Sequence, residues 1–368
     1  MKIAFIGQKG IPAKSGGVDR HVESLAYFLA KNGQEVLVYN RRGYLENNIQ
    51  EWEGIKLISK PFINNKNLAA ITHSFLSVIN AMHRKVDVIH FHGIGPSLLA
   101  WIPKIFTPKI KVVATLHSFD YGNDKWGSFA KFMLKLGEKV MSKYADEVIV
   151  LTALMRDYLY GRHGRDSVII PNGAFIKEST GDTSLSQFGI ESGKYIVSIS
   201  RLIRLKGIQY LIEAFKELKK TNSIDSSMKL VIVGDGEYEE ELRKIADSNK
   251  DIVFTGNQSG DTLAELYANA ALFVQSSEME GLSISLLEAM AYGLPILASD
   301  ISANREAAAD TAFYFEAKDK DSLKIALELV FNRHEEALEL GKRAKQRVET
   351  QFNWSDISLK TLEVYGKK

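Results

Sequence analysis

The sequence predicts an α/β protein made of two doubly wound domains. Three observations carry that expectation. The chain has 368 residues, more than one hydrophobic core usually fills. Through residues 1–171 short apolar runs alternate with longer helical patterns, as in a mainly parallel sheet joined by helices. A polar, glycine-containing linker from Glu178 to Gly193 then leads to a new apolar run, Tyr195–Ile199, where the pattern restarts.

In the first domain the strand candidates are Lys2–Ile6, Glu35–Tyr39, Ile55–Ile58, Val86–Phe91, Val112–Leu116, Glu147–Leu151 and Val168–Ile170. Helices are expected between them, among them Val18–Lys31, Leu68–His83 and Ser128–Lys143. In the second domain Leu230–Val233 reads as a strand that ends in the turn Gly234-Asp235-Gly236. The acids Glu237, Glu239, Glu240 and Glu241 suit the start of the next helix, where the macrodipole favours negative charge. Ligands of such sheets bind beyond the carboxyl ends of the strands, so the residues after each strand are where chemistry is sought.

Composition narrows the class. The chain is 45% hydrophobic and 25% charged, ordinary for a globular protein, and it has no cysteine. Disulfides and thiolate metal sites are therefore excluded, and a reducing compartment fits. The apolar run at the N-terminus is too short for a signal peptide and reads as a first strand. No apolar run approaches the roughly 18 residues of a spanning helix. The expected location is the cytoplasm, with the inner face of the cell membrane as a peripheral site. The net charge of +2 hides an asymmetry. Residues 1–171 hold 23 Lys+Arg against 14 Asp+Glu, net +9, and the remainder holds 24 against 31, net −7. Either this split is chance or the two halves meet different partners.

One stretch is denser in signals than any other. After the apolar run Ala271–Val274, small polar residues and Gly281 form a turn, and Ile284–Ala291 reads as a helix. Gly293 stops it, and Pro295 opens the next strand. Glu280 lies in the turn and Glu288 about two turns along the helix. Backbone amides at Gly281, Leu282 and Ser283 are expected to offer an anion site at the helix start. Amides donate to phosphates, and hydroxyls donate to carboxylates, so the combination suits a sugar nucleotide. Nearer the linker, Arg201 and Lys206 follow a strand and precede a helix. Arg201 can grip a phosphate bidentately and Lys206 adds a point charge.

The spacing Glu280-x7-Glu288, with Glu-Gly-Leu-Ser at 280–283 and Glu-Ala-Met-Ala-Tyr-Gly-Leu-Pro at 288–295, resembles the signature of retaining glycosyltransferases of family 4. Arg201-x4-Lys206-Gly207 is similar to that family's diphosphate-binding segment, and Pro171-Asn172-Gly173 to its turn at the end of the first domain. The resemblance covers nearly the whole chain and is strongest from Arg201 to Glu306. It implies the GT-B fold, two Rossmann-like domains facing a cleft, with residues 1–172 on the acceptor side and 173–350 on the donor side. Residues 351–368, with Phe352-Asn353-Trp354-Ser355, look like the closing segment that returns to the first domain.

The resemblance also implies roles. Arg201 and Lys206 stabilise the leaving diphosphate, Glu280 contacts the donor sugar, and Glu288 takes ribose hydroxyls. The turn at Gly256-Asn257 lies by the base, and Gly16-Gly17 faces the donor phosphate and the acceptor, although a plain flexible turn is the other reading there. His117, at a strand's carboxyl end, lies close to the donor sugar or is a satisfied core histidine. The reaction implied is hexosyl transfer from a nucleoside diphosphate sugar to an acceptor hydroxyl of a glycan or lipid-linked acceptor, with retention, by front-face attack in which the departing phosphate takes the proton. The setting is bacterial surface polysaccharide or glycolipid assembly. No cofactor and no nucleic-acid partner are expected. The chain is read as lacking an Asp-x-Asp metal motif, so metal independence is expected. His90 and His92 share one face of a strand, but a metal is set aside because no carboxylate or further histidine has ligand spacing nearby. Two other functions fit the same fold, a nucleotide-sugar 2-epimerase and a non-catalytic sugar-nucleotide-binding protein.

Two surface segments remain. Trp101–Lys111 and the series Lys125-Trp126, Lys131-Phe132, Lys135, Lys139 and Lys143 mix basic and bulky apolar residues. An anionic membrane surface is one candidate partner for them, and an ordinary lysine-covered helix is the other reading. Asp120–Gly127 resembles a stretch of rhamnosyltransferase-like members, which carry Arg where this chain has Asn123.

Overall fold

The computed structural model describes all residues except 15, 46–48, 66–67, 120–126, 175–180 and 367–368. The rhamnosyltransferase-like stretch thus lies almost wholly outside the described residues. The chain forms two compact units. The first comprises Met1–Asn172 and Trp354–Lys368, the second Gly173–Asn353.

The first unit contains β1 (Lys2–Ile6), β2 (Glu35–Arg41), β3 (Glu51–Trp52), β4 (Ile55–Lys60), β5 (Val88–His92), β6 (Lys111–Leu116), β7 (Glu147–Val150) and β8 (Val168–Ile169). Its helices are α1 (Gly17–Lys31), α2 (Ala69–His83), α3 (Ile94–Ser97), α4 (Trp101–Phe106), α5 (Ser128–Tyr144) and α6 (Ala153–His163). The sheet order is β3-β4-β2-β1-β5-β6-β7-β8, parallel except for β3 against β4. That hairpin was not expected from sequence. Its tight turn puts Glu53 and Gly54 at φ 50° and 77°, the positive values that such two-residue turns require. The segment from Trp101 is also more regular than expected, a short helix that ends before β6.

The second unit contains β9 (Tyr195–Ile199), β10 (Lys229–Val233), β11 (Ile252–Gly256), β12 (Leu272–Gln275), β13 (Ile296–Ser299) and β14 (Phe313–Phe315). Its helices are α7 (Ile208–Lys220), α8 (Glu239–Ala246), α9 (Gly260–Ala268), α10 (Ile284–Ala291), α11 (Ser302–Ala308), α12 (Lys320–Asn332) and α13 (His334–Gln351). The last helix, α14 (Trp354–Gly366), belongs to the first unit and packs on α1. The second sheet runs β11-β10-β9-β12-β13-β14, all parallel. The central strands of both sheets, β1, β5, β9 and β12, are buried on both faces, as helix-covered parallel sheets require.

Each sheet has one point where the winding reverses, between β1 and β5 in the first and between β9 and β12 in the second. Such switch points open a crevice at the strand ends. A glycine lets the two flanking loops meet in each case. A Cβ on Gly7 would lie 2.4 Å from the His92 carbonyl oxygen, and one on Gly207 would lie 2.0 Å from that of Ser276. Both glycines also hold positive φ, 128° and 66°.

Candidate active site

At the switch point of the second unit, the loop after β9 is fastened to the loop after β12. Ser276 Oγ donates to the Lys206 carbonyl at 2.9 Å, and the Glu278 amide to the Leu205 carbonyl at 2.8 Å. These bonds bring Lys206 and Glu280 together although they are 74 positions apart. Lys206 Nζ pairs with Glu280 Oε1, which also accepts from Gln275 Nε2 at 2.7 Å and Ser277 Oγ at 2.6 Å. Both side chains are largely buried. Oε2 takes no partner among the described residues, so Glu280 is held rigidly by one oxygen and keeps the other for a ligand.

Glu288 faces its own partner, accepting the Tyr267 hydroxyl on Oε2 at 2.8 Å. Tyr267 is buried and stacks on Tyr292. Arg201 behaves differently. Its Nη2 donates to Glu237 Oε2 at 2.7 Å, with both side chains about half exposed. A pair that exposed is worth at most about 1 kcal/mol, so an incoming phosphate can displace Glu237 cheaply. Glu237 is thereby a correction to the sequence reading. It precedes α8 and serves Arg201, while Glu239, Glu240 and Glu241 occupy the first turn. Gly256 ends β11 at the same edge of the sheet, where its carbonyl accepts the Gly234 amide, and Asn257 follows it.

The helix-start amides also move. α10 begins at Ile284, because Ser283 has extended backbone and its Oγ caps the Leu286 amide at 3.3 Å. Gly281 and Leu282 therefore belong to the preceding loop, and the open amides of the first turn are those of Ile284 and Ser285. A second correction concerns the aspartates. The chain does contain Asp-x-Asp, at Asp319-Lys320-Asp321, but Asp319 caps α12 through the amides of Asp321 and Ser322. That is a helix start rather than a metal site.

In the first unit, Gly16 caps α1 with open space before it, and Gly17 is the first helical residue. His117 follows β6 and is buried. Its Nε2 lies 3.1 Å from His92 Nδ1, and its ring lies 4.6 Å from that of His21. His21 Nδ1 in turn bonds Asn172 Oδ1 at 2.8 Å. The reason for setting aside a metal therefore fails. Ring nitrogens of His21, His92 and His117 lie within 4.8 Å of one another, a trio of the ligand type that zinc accepts. It is assembled from α1, β5 and the end of β6, so no local spacing could announce it. Burial drives His21 down to about 4, against a hydrogen bond to Asn172, and holds His92 and His117 well below the ordinary imidazole value. All three are neutral at pH 7. His90, beside them, bonds Tyr365 on Nδ1 and Thr115 on Nε2, both at 2.7 Å.

Two acids of α1 were missed. Asp19 accepts the Lys9 amide at 2.8 Å and Glu23 accepts the Ala13 amide, which pins the loop after β1 to the helix. Their signal was present as an i, i+4 pair directly after the double glycine. Burial pushes the Asp19 carboxyl up to about 6, against the Lys9 amide and the charges of Lys9 and Arg41. A raised carboxyl supports the fold fully below its unfolded pKa of about 3.9, and that support is lost as pH rises through 6. Asp19→Asn is thus expected to exceed the parent in stability by on the order of 2 kcal/mol at pH 7.5, with the gap closing by pH 4. Denaturant melts at the two pH values measure it, and a pH-independent gap would refute the assignment.

Comparison with known proteins decides the family. The model described as "Glycosyltransferase Family 4" matches residues 15–176, and "Glycosyl transferases group 1" matches residues 182–347. The chain belongs to the family 4 glycosyltransferases. As an enzyme it is a glycosyltransferase, and its fold is GT-B. The alpha-monoglucosyldiacylglycerol synthase of Streptococcus pneumoniae is 26% identical over 324 residues, 81% of this chain and 71% of that protein. Among solved structures, this glycosyltransferase is similar to sucrose-phosphate synthase from Thermosynechococcus elongatus, with TM-score 0.84, 22% identity, and coverage of 99% and 98% of the two chains. Anabaena HepE in complex with UDP-glucose gives TM-score 0.80, 20% identity, and 99% coverage of each chain.

Proposed function

We propose that this glycosyltransferase moves a hexosyl group from a nucleoside diphosphate sugar to an acceptor hydroxyl with retention of configuration. The observation that carries the reading is the Lys206–Glu280 pair at the switch point of the second sheet, with Arg201 in the loop after β9 and Glu288 on α10, the helix that follows β12. Cations there meet the diphosphate, while Glu280 Oε2 and Glu288 meet hydroxyls of the sugar and the ribose. Gly256 and Asn257 border the base. The loop at Gly281 and Leu282, the cap at Ser283, and Gly16-Gly17 approach phosphate and acceptor closely. Neutral His117 offers its ring to the sugar. The reading uses protein cations to take the charge that develops on the leaving diphosphate. The Anabaena neighbour holds UDP-glucose, a donor of this class, and the pneumococcal relative is named for a glycolipid product.

A lipid-linked acceptor at an anionic membrane surface fits the first unit. Phe129 and Phe132 are 73% and 60% exposed on α5, which also carries Lys131, Lys135, Lys139 and Lys143. Among the described residues no helix is long and apolar enough to cross a membrane, so contact would be peripheral.

Calorimetric titration tests the donor site. Glu288→Gln is expected to weaken the bare nucleoside diphosphate and the nucleotide sugar alike, by about tenfold, the loss of one charged hydrogen bond. Glu280→Gln is expected to weaken the nucleotide sugar more than the bare nucleotide. Equal losses for both ligands in both variants would reject the division of roles. The anomeric configuration of the product, and the absence of an epimerised donor when acceptor is omitted, test the reaction.

A further inference from the structure

The first unit carries an apolar groove that the donor chemistry does not use. It has a volume of about 540 Å³, within the range of about 300–1,000 Å³ typical of small-molecule sites. Pro61, Phe62 and Ile63 from the loop after β4 form one wall, and Ile71, Phe75 and Leu76 of α2 form the other. Thr72 is its polar lining residue, but the Thr72 hydroxyl is already spent. It donates to the Leu68 carbonyl at 2.8 Å and accepts the Ile63 amide at 3.1 Å. Among the described lining residues the groove therefore offers a sugar little to bond, and it offers hydrocarbon two apolar walls. Ile63, Phe75 and Leu76 remain 53%, 44% and 39% exposed, so the groove is open.

One end of the groove is cationic. Arg41 and Lys60 are register partners where β2 and β4 finish, and the Arg42 amide donates to the Lys60 carbonyl at 2.8 Å. The Arg41 guanidinium lies over the Phe62 ring, 5.6 Å from its centroid, and its Nε is buried without a hydrogen-bond partner among the described residues, although the Asp19 carboxylate is near enough to support its charge. Arg42 and Arg84 are near enough to Lys60 to depress its ammonium pKa further after burial has lowered it. A buried, unpartnered guanidinium nitrogen is costly until an acceptor reaches it. Hydrocarbon walls ending in clustered cations are complementary to a chain that terminates in an anion. The cluster stands at the carboxyl edge of the first sheet, the edge that also carries Gly16 and His117.

We propose that this groove binds the hydrocarbon chain of a lipid phosphate, with the phosphate on Arg41, Arg42 and Lys60, and that this lipid is the acceptor's anchor. The inference rests on the lipid-linked acceptor reading and assigns it a place. It also gives α2 a role separate from that of α5, whose Phe129 and Phe132 are exposed.

Farnesyl phosphate below its aggregation limit is the probe, titrated calorimetrically into the full chain beside farnesol, inorganic phosphate and phosphatidylglycerol vesicles. Farnesyl phosphate is expected to bind at least tenfold more tightly than either fragment. Leu76→Asp, a change at an exposed position, should weaken it tenfold or more. Arg42→Ala should weaken farnesyl phosphate and leave farnesol unchanged. Absence of farnesyl phosphate binding, or binding that Leu76→Asp leaves intact, overturns the groove. Binding to vesicles alone overturns it too, since that places lipid contact on the general surface. Nucleotide-sugar binding on the same samples reports the donor reading separately. If it persists while farnesyl phosphate fails to bind, only the groove is lost.

Discussion

Between pH 6.5 and pH 5 the first unit is expected to unfold while the second remains folded. Five histidines of the first unit, His21, His73, His90, His92 and His117, are buried, and burial lowers the pKa of each. A histidine with a depressed folded pKa stabilises the fold above its unfolded value of about 6.5, and that support is lost as pH falls toward the folded value. His21 and His73 are each held at about 4. At pH 5 each therefore costs about 2 kcal/mol, and the other three act in the same direction. His21 and His73 alone thus remove a large share of the 5–15 kcal/mol that holds a typical domain together. Asp19 and Glu23, both raised by burial, have the opposite sign, but two carboxyls do not offset five imidazoles. The second unit contains a single histidine, His334. The experiment has a built-in reporter, because all four tryptophans, at positions 52, 101, 126 and 354, lie in the first unit. Tryptophan emission should shift to the red near pH 5 while much of the far-ultraviolet circular dichroism persists. Loss of both signals in one step, or no transition above pH 4, would contradict the argument.

Lys206→Ala is expected to lower turnover by about a hundredfold or more, equivalent to roughly 3 kcal/mol of transition-state stabilisation. Breaking the sugar–phosphate bond adds negative charge to the diphosphate. A cation matched to that charge lowers the barrier more than it tightens the ground state. The pairing with Glu280 gives the prediction a second arm. Without Nζ, Glu280 keeps its bonds from Gln275 and Ser277 but loses its counter-charge, so Lys206→Ala also disturbs the sugar contact. Lys206→Ala combined with Glu280→Gln should therefore cost less than the sum of the single changes. Arg201→Lys should not restore function, since a point charge cannot reproduce a planar fork on phosphate. A chelator and added magnesium should leave the parent rate unchanged. Steady-state kinetics decides between outcomes. A raised KM with untouched turnover in Lys206→Ala, or activity abolished by chelator, would sink the cationic clamp.

The parts legible in sequence were those written in contiguous residues. Apolar runs located most strands to within two residues, and Gly293 with Pro295 bounded α10. The string from Glu280 to Pro295 pointed to the family because its turn, helix and strand lie within twenty positions. What stayed hidden depends on residues that the topology brings together. Arg201 meets Glu237 across 36 positions, and His21, His92 and His117 come from three elements. The apolar groove is hidden for the same reason, since Phe62 and Leu76 look like ordinary core residues in isolation. Asp319-Lys320-Asp321 shows a different lapse, a motif-like spacing that was overlooked and whose local role is to start a helix.

The docking of α14 has a consequence for how the chain comes to be folded. Trp354, Ile357 and Tyr365 are built into the core of a unit whose other residues end at Asn172, with the Tyr365 hydroxyl on His90. Synthesis proceeds from the N-terminus, and domains generally fold as units as they emerge. Here the unit begun first is completed only after the second has been made. It must wait, with the apolar face of α1 and the ring of His90 uncovered, while 181 residues of the second unit are made, since Gly173–Asn353 is the contiguous body between its two pieces. The second unit can therefore be finished on the ribosome before the first, which closes only once α14 has been made.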